Sequence, residues 1–412
     1  MPFEVPNGWV WSILPNLCTI PITDGTHQTP TYTDKEHGIP FISSKDVTSQ
    51  KINWDNIKYI TKELHEELYK RVAPQKDDIL LAKNGTTGVA AIVEDSRVFD
   101  IYVTLALIRP NKNVNPYYLY YVINSGFCKE QFNSHLTGIG LPNLHLTDIK
   151  KTFIPLPPLT EQERIVSEIK RWFTLIDKLE QEKTDLLTAI KQTKSKILDL
   201  AIHGKLVPQD LNDEPASELL KLINPNAEIT CDNGQYGKMP EGWCETILGE
   251  LFEHNTGKAL NSSNQGGIMR DYLTTSNVYW DTFDLSLVKQ MLFKENELEK
   301  CTVVKGDLLV CEGGDVGRSA IWNQDYDICI QNHLHRLRPK AELSVRFYYH
   351  VLKYLKDNNM IGGKGIGLLG LSSKELHKLP FPLPPYNEQQ RIVNKIEELF
   401  TLLDNIQKSL EV

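Results

Sequence analysis

Residues Pro155 to Asp177, PLPPLTEQERIVSEIKRWFTLID, return as Pro382 to Asp404, PLPPYNEQQRIVNKIEELFTLLD, at a constant offset of 227 with 14 of 23 positions identical. A chain that writes one segment twice is built from two like units, so the architecture of one module is most of the problem. The rest of the module repeats more faintly. VPNGWVWSIL near Pro6 answers MPEGWCETIL near Pro240, and FISSKDV from Phe41 answers YLTTSNV from Tyr272. KDDILLAKNGTTGVAAI from Lys76 answers KGDLLVCEGGDVGRSAI from Lys305, Arg109-Pro110 answers Arg338-Pro339, and Gly138-Ile139-Gly140 answers Gly365-Ile366-Gly367. The order of these landmarks is kept while most side chains between them differ. One scaffold presents two surfaces.

Each module runs from its PxGW start through a β-rich body to the PLPP motif and then a helix. Short apolar runs at Asp78 to Ala82, Val103 to Arg109, Gly306 to Cys311 and Ile328 to Leu337, separated by Gly and Asn turns, predict strands. Apolar spacing predicts helical patches at Pro116 to Phe132 and Val345 to Asp357.

The helical segments are more explicit. After the prolines, Thr160 and Glu163 form a T-x-x-E capping signal. Ile165, Ile169, Trp172, Ile176, Leu179, Lys183, Leu186, Ile190, Thr193, Ile197 and Leu200 then follow a 4-3-4-3 spacing, and Gly204 and Pro208 supply the stop. Some 40 residues at 1.5 Å each make a rod of about 60 Å. In the second copy Asn387 is the expected cap, and Ile392, Ile396, Leu399, Leu403, Ile406 and Leu410 carry the seam. A single apolar seam needs a partner, and antiparallel packing of the two helices satisfies both. Packing of each helix on its own module is the plainer alternative. The expected fold is therefore α+β: two β-rich globular domains separated by an antiparallel coiled coil of two long helices, with pseudo-twofold symmetry. Its segments are residues 1–155, a helical spacer at 156–204, a linker at 205–238, a second globular domain at 239–382 and a shorter helical spacer at 383–412. The second helix runs about 25 residues against about 40 for the first, so the partner of Leu186 to Leu200 is missing from the second copy. Either a C-terminal stretch is absent or a partner subunit covers the exposed seam.

Composition narrows the class. No apolar run approaches the roughly 18 residues of a membrane span, and no basic segment precedes an apolar stretch at the N-terminus. The seven cysteines form no CxxC pair, which suggests neither a disulfide framework nor a zinc site and fits a reducing cytoplasm. The net charge is −8, which weighs against a chain that holds nucleic acid unaided.

At PLPPLTEQERIVSEIK and again at PLPPYNEQQRIVNKIEELF the sequence resembles the specificity (S) subunit of type I restriction–modification systems. AIHGKLVPQDLNDEPASELL, from Ala201 to Leu220, looks like the segment that follows the first helix in that family. The resemblance spans the whole chain. It implies two target-recognition domains, each reading one half of a bipartite double-stranded DNA target, and no covalent chemistry by this chain. It further implies helices that fix the gap between half-sites and dock two methyltransferase (M) subunits, with restriction–translocase (R) subunits in the larger complex. S-adenosylmethionine, ATP and Mg would then belong to the partner subunits, with no cofactor and no membrane contact here. A ruler fits the geometry of a helix: four added residues shift its end by about 6 Å and turn it by about 40°, commensurate with about two base pairs. Thr184-Asp185-Leu186-Leu187 is where such length changes are expected.

Given that resemblance, the turn Lys83-Asn84-Gly85-Thr86-Thr87-Gly88 and its copy Glu312 to Arg318 are candidate contacts. Their glycines admit backbone amides to a phosphate, and Lys83, Asn84, Thr86, Thr87 and Arg318 suit phosphates and base edges. A tight β-turn explains the glycines equally. Lys45 within Ser43 to Asp46 and its counterparts Ser276 and Asn277 face the same choice between a groove-facing edge and plain turn chemistry. Asn143, His145 and Lys364 lie on Gly-rich loops, and Arg270, His333 and Arg336 are further candidates. His333-x-His335 has no third ligand in view, so no metal site is expected. Glu161, Gln162 and Arg164, with Glu388, Gln389 and Arg391, recur at the helix starts, where capping and bridging or partner docking is their job. The coiled-coil positions, Ile165, Ile169, Trp172, Ile176, Leu179, Leu186, Ile190, Ile392, Ile396, Leu399, Leu403 and Ile406, are core or docking residues rather than ligands.

Two rival functions fit the sequence less well. A methyltransferase in its own right needs Asn or Asp before Pro-Pro-Tyr, and here Leu383 precedes Pro384-Pro385-Tyr386. No GxxxxGK[ST] phosphate loop and no nuclease carboxylate cluster are visible. A coiled-coil adaptor without a DNA role has less reason to vary two surfaces independently.

Overall fold

The computed structural model describes residues 3–28, 30–134, 143–226, 236, 238–260, 266–361 and 371–411. The chain divides into two compact units, Met1–Leu179 and Glu180–Val412. The helix Leu159–Ile202 contributes residues to both.

In the first unit, strand Val10–Ile13 pairs antiparallel with Phe153–Leu156, so the PxGW start is tied to the PLPP end. Between them lies a four-stranded sheet in the order Thr23–Asp24, Leu105–Ile108, Ile79–Ala82, Ala90–Ile92. Its two central strands, ILLA and LALI, are buried at every position. Side chains alternate across a strand, and the sequence fills both faces. Ile79, Leu81, Ala106 and Ile108 pack on the helices Pro116–Asn124 and Gly126–Asn133. Leu80, Ala82, Leu105 and Leu107 pack on the opposite face with Ile42, Phe99 and Ile101, the last two beside or within a second sheet ordered Tyr32–Thr33, Lys58–Ile60, Ile39–Ile42, Asp100–Ile101. Doubly buried strands read as unbroken apolar runs, which is why these were the legible ones.

The second unit repeats the plan. Cys244–Ile247 pairs with Pro380–Leu383, and the main sheet runs Phe252–Thr256, Leu334–Pro339, Leu308–Cys311, Ser319–Ile321. The patch expected at Val345 to Asp357 is one helix with those bounds. Its first-unit counterpart is broken at Ser125, whose hydroxyl accepts from the Cys128 N–H and starts a second helix. Ile328 to Leu337 is likewise two strands, Ile328–Ile330 and Leu334–Pro339. Residues 205–238 are more than a linker: Ala216–Ile223 is a helix whose Ala216 and Leu220 are buried in the second unit's main core.

The helix starts differ from the capping expectation. Leu159–Ile202 begins one residue before Thr160, and Tyr386–Ser409 begins at Tyr386 with Pro385 at the cap and no side-chain cap bond. Asn387 and Thr160 therefore sit inside the first turn. The fixing residue is the glutamine. Gln162 is buried, accepts from the Asn115 N–H at 2.8 Å and donates to the carbonyls of Pro157 and Asn113. Gln389 accepts from the Ser344 N–H at 2.9 Å and donates to Pro384 O. Pro157 and Pro384 have no backbone donor to offer in return, and one amide side chain secures the helix start to the module in both copies.

In the second unit the end of the long helix packs antiparallel on Tyr386–Ser409. Ile197, Leu198, Ala201 and Ile202 share a core with Ile392, Val393 and Ile396 near the other helix's start. Further along, Lys194 pairs with Asp404, and Leu187 lines a common cleft with Gln407. Gly204, at φ +62°, ends the long helix, with the Lys205 N–H donating back to Leu200 O. Ile190 and Ile197 of the seam are buried and Leu200 is half-buried, whereas Trp172, Ile176, Leu179 and Leu186 are exposed. The large apolar seam residues that are bare thus run from Trp172 to Leu186, so of the Leu186–Leu200 stretch expected to lack a partner Leu186 is bare while Ile190 and Ile197 are covered. Antiparallel pairing sets the end of one helix against the beginning of the other. Among the described residues no helix is long and apolar enough to cross a membrane.

Candidate nucleic-acid interface

In each unit one short loop gathers the turns that carry most candidate contacts. In the first unit it is Tyr102 to Thr104, between strands Asp100–Ile101 and Leu105–Ile108. The Tyr102 N–H donates to Ile42 O and the Val103 N–H to Thr26 O, while the Thr104 hydroxyl accepts from the Ser44 N–H at 3.0 Å. The Lys83 N–H donates to Thr104 O at 2.8 Å, the Leu144 N–H donates to Lys83 O at 2.8 Å, and Asn84 bridges Asn143. Lys45, Asn84, Thr86, Thr87, Asn143 and His145 are thereby brought to one edge. Lys45, Thr86 and His145 are exposed, and Asn84, Thr87 and Asn143 are half-buried.

Lys83 does not belong to that surface. It is buried, with Nζ 2.5 Å from Asp24 Oδ2. Burial alone would raise the Asp24 carboxyl; the hydrogen bond and charge of Lys83, aided by His27, outweigh it and hold Asp24 below the usual carboxylate range. A lysine so paired cannot reach a phosphate without uncovering a buried carboxylate.

The second unit uses the same frame with other side chains. The loop is Gln331 to His333. The Gln331 N–H donates to Leu273 O, Asn332 N–H to Lys258 O, Glu312 N–H to His333 O and Leu371 N–H to Glu312 O. Arg318, a half-buried residue, donates to Thr275 O at 2.6 Å and lies over the Tyr279 ring at 5.0 Å, joining two candidate turns. Ser276 and His333 are exposed. Arg270 is exposed on strand Ile268–Leu273, at a cavity of 390 Å³ shared with Met269, Asp271 and Gln290. Two candidates are structural instead. Asn277 is buried and its amide is spent: Oδ1 accepts from Thr274 N and Oγ1, and Nδ2 donates to Asp284 O and Leu287 O. Arg336 is buried and donates to Glu299 O, Thr302 O and Glu253. Lys364 lies outside the described residues.

Both frames rest on a glycine that sequence reading passed over. A Cβ on Gly25 would stand 1.9 Å from Ile101 O, and one on Gly257 would stand 2.2 Å from Ile330 O. The following residues, Thr26 and Lys258, form the parallel bridges to Tyr102 and Gln331. Only glycine permits that approach. Asp24-Gly25-Thr26 and Thr256-Gly257-Lys258 sit at an offset of 232, close to that of the other landmarks, and that spacing was the available signal.

Beneath the second edge lies a histidine relay. Leu371 O can only accept, so His335 Nε2 carries the proton at 3.0 Å and His335 Nδ1 accepts from His254 Nε2 at 3.0 Å; His377 stacks on His254. Burial, then the neighbouring His335 and His377, push His254 down to about 4. Burial also lowers His335, against the Leu371 hydrogen bond and Glu312, and takes His350, which also faces Arg346, down to about 3. These histidines stay neutral when folded, while the unfolded chain takes up protons near pH 6.5. The stability they contribute is complete above that pH and is lost as the pH falls from 6.5 towards 4. The melting temperature of the second unit should fall steadily over that window in scanning calorimetry, and His254→Asn should flatten the fall.

The model described as the type I restriction modification DNA specificity domain matches residues 6–189 and again residues 240–412. The chain belongs to that family. Among its relatives are the EcoBI specificity subunit of Escherichia coli, 22% identical over 94% of this chain and 79% of the relative, and the EcoAI specificity subunit of the same species, 25% identical over 97% and 78%. The HsdS subunit of Thermoanaerobacter tengcongensis superposes with a TM-score of 0.60 at 20% identity, covering 99% of this chain and 93% of that one. A chain from a solved type I R-M system superposes with a TM-score of 0.61 at 21% identity, covering 100% and 94%. The two family matches coincide with the two copies of the repeat, so this specificity-family chain carries two reading modules on one plan.

Proposed function

We propose that this chain is the DNA-sequence-recognition subunit of a type I restriction–modification complex, makes no covalent change to DNA itself, and reads one half of a bipartite target with each unit. One observation carries the reading: the same hydrogen-bonded frame occurs twice with different side chains at equivalent places. Lys45 answers to Ser276, Thr86 to Asp315 and Thr104 to His333. Backbone groups set the geometry while the variable side chains select bases. The long helix sets the half-site gap, and the helices dock two methyltransferase subunits, with restriction–translocase subunits joining the larger assembly. S-adenosylmethionine belongs to the methyltransferase subunits, and ATP with Mg to the translocase. Partner-supplied phosphate contacts offset the net charge of −8. The test replaces residues 1–155 by the same module of a relative and maps methylated sites in a host that expresses the complex. One half-site should change while the other half and the gap persist. An unchanged target, or loss of both halves from a folded complex, would refute the assignment. Lys45→Ala should lower the salt dependence of binding by about one charge.

A further inference from the structure

The two copies differ beneath the strand that leads into each reading edge. In the first unit the helix Lys62–Arg71 sets His65 and Tyr69 beside strand Asp100–Ile101. His65 Nδ1 lies 2.6 Å from Asp100 Oδ2, and the Tyr69 ring lies 4.7 Å from the imidazole. An imidazole and a phenol are thus packed against a buried carboxylate. At the offset of 229 that relates Arg109 to Arg338 and Asp78 to Asp307, Asp100 and Tyr69 become Cys329 and Leu298. The second unit's helix, Glu295–Cys301, has seven residues against ten, and Lys294, the counterpart of His65, stands at its cap rather than on its face. Both rings are missing there. In their place lies the cavity of 390 Å³, between that helix and the strands Ile268–Leu273 and Ile328–Ile330. That volume is in the small-molecule range of about 300–1,000 Å³.

The walls limit what the cavity can take. Ile328 and Cys329 are buried beneath it, with the Thr302 hydroxyl 4.0 Å from Cys329 Sγ. Burial raises the Cys329 thiol, against Thr302 and Arg270, so it stays a neutral thiol rather than a nucleophile. Gln290 is exposed and donates Nε2 to Asp271 Oδ1 at 2.7 Å, and an amide carries a further donor and an acceptor besides. Arg270 brings a flat guanidinium of the kind that lies on rings. Asp271 and Asp327 outnumber it on the same wall, and one cation against two carboxylates disfavours a phosphate.

We propose that this cavity binds a soluble nucleobase or nucleoside, without phosphate, its ring in the place that His65 and Tyr69 fill in the first copy. Its polar edge meets Gln290, Asp271 and Thr302, and Arg270 lies over its face. The site is distinct from the reading edge, since the turns Thr274 to Asn277 and Gln331 to His333 follow the far ends of the two strands. The inference holds whichever DNA is read and fails or stands separately from that reading.

The probes are adenosine and guanosine, titrated into the full chain by isothermal calorimetry. Saturable binding of at least one is expected, with its 5′-monophosphate at least tenfold weaker and ribose inert. Leu298→Tyr, which restores a ring of the first copy, should weaken binding at least tenfold while circular dichroism stays unchanged. Gln290→Ala, at an exposed position, should weaken it at least threefold. No saturable binding of either nucleoside, indifference to both Leu298→Tyr and Gln290→Ala, or a monophosphate that binds as well as its nucleoside would overturn the proposal. So would an oligonucleotide with an unpaired purine that displaces the nucleoside at equal concentration, since the cavity would then serve a base of bound DNA.

Discussion

Arg338→Ala is expected to destabilise the second unit by about 3–5 kcal/mol, and Arg109→Ala the first by a similar amount. Arg338 meets Asp307 two-pronged, Nε to Oδ1 at 2.8 Å and an Nη to Oδ2 at 2.7 Å; Arg109 meets Asp78 with the same atoms and distances. Both carboxylates are 1% exposed. Each also accepts a backbone N–H, from Val304 or Gln75, that turns the chain into a central strand. Removing the guanidinium leaves a buried charge with one remaining partner, whereas removing both ions leaves none to solvate. Arg338→Met with Asp307→Leu should therefore recover much of the loss. Domains of this size are stable by about 5–15 kcal/mol, so the single variant spends a large share of the margin. Thermal unfolding of the purified chain measures it, and a loss below about 1 kcal/mol would contradict the account.

Gly257→Val should remove recognition of one half-site while leaving the other. The added Cβ would stand 2.2 Å from Ile330 O and within 2.4 Å of Gln331 backbone atoms, so the loop Gln331 to His333 must move. The bonds from Gln331 to Leu273 O and from Asn332 to Lys258 O hold that loop in place. Its shift displaces the turns that hang from it, including Glu312 to Arg318. Binding to duplexes altered in one half at a time, in complex with the methyltransferase partner, reads the outcome. Discrimination at one half should fall at least tenfold and at the other stay within twofold. Circular dichroism of the same preparation separates a displaced loop from an unfolded unit. Equal loss at both halves by a folded protein would count against two independent reading edges.

The repeat, the long helix and the Arg-Pro landmarks were legible because their signals are local or strictly periodic. Doubly buried ILLA and LALI announce themselves as apolar runs. The errors cluster where tertiary partners decide. Both strand predictions that ran too long, Val103 to Arg109 and Ile328 to Leu337, overran the loops Tyr102–Thr104 and Gln331–His333, which have no turn glycine or proline and owe their bend to bonds from distant segments. Lys83 and Asn277 looked like surface groups because their partners, Asp24 and the carbonyls of Asp284 and Leu287, are invisible in spacing. The capping signals at Thr160 and Asn387 lost to a glutamine further into the helix, since a proline carbonyl was within its reach.

That glutamine has a consequence for how such chains change. Gln162 and Gln389 bond only to main-chain atoms, and every amino-acid sequence offers the same main chain. These bonds, unlike the Trp243–Glu388 and Lys170–Tyr117 contacts beside them, are therefore indifferent to which side chains the module carries. A recognition head can drift, or be exchanged whole for a foreign cassette, and still be carried at the inherited attitude. Novel specificity then leaves the glutamine's bonds intact.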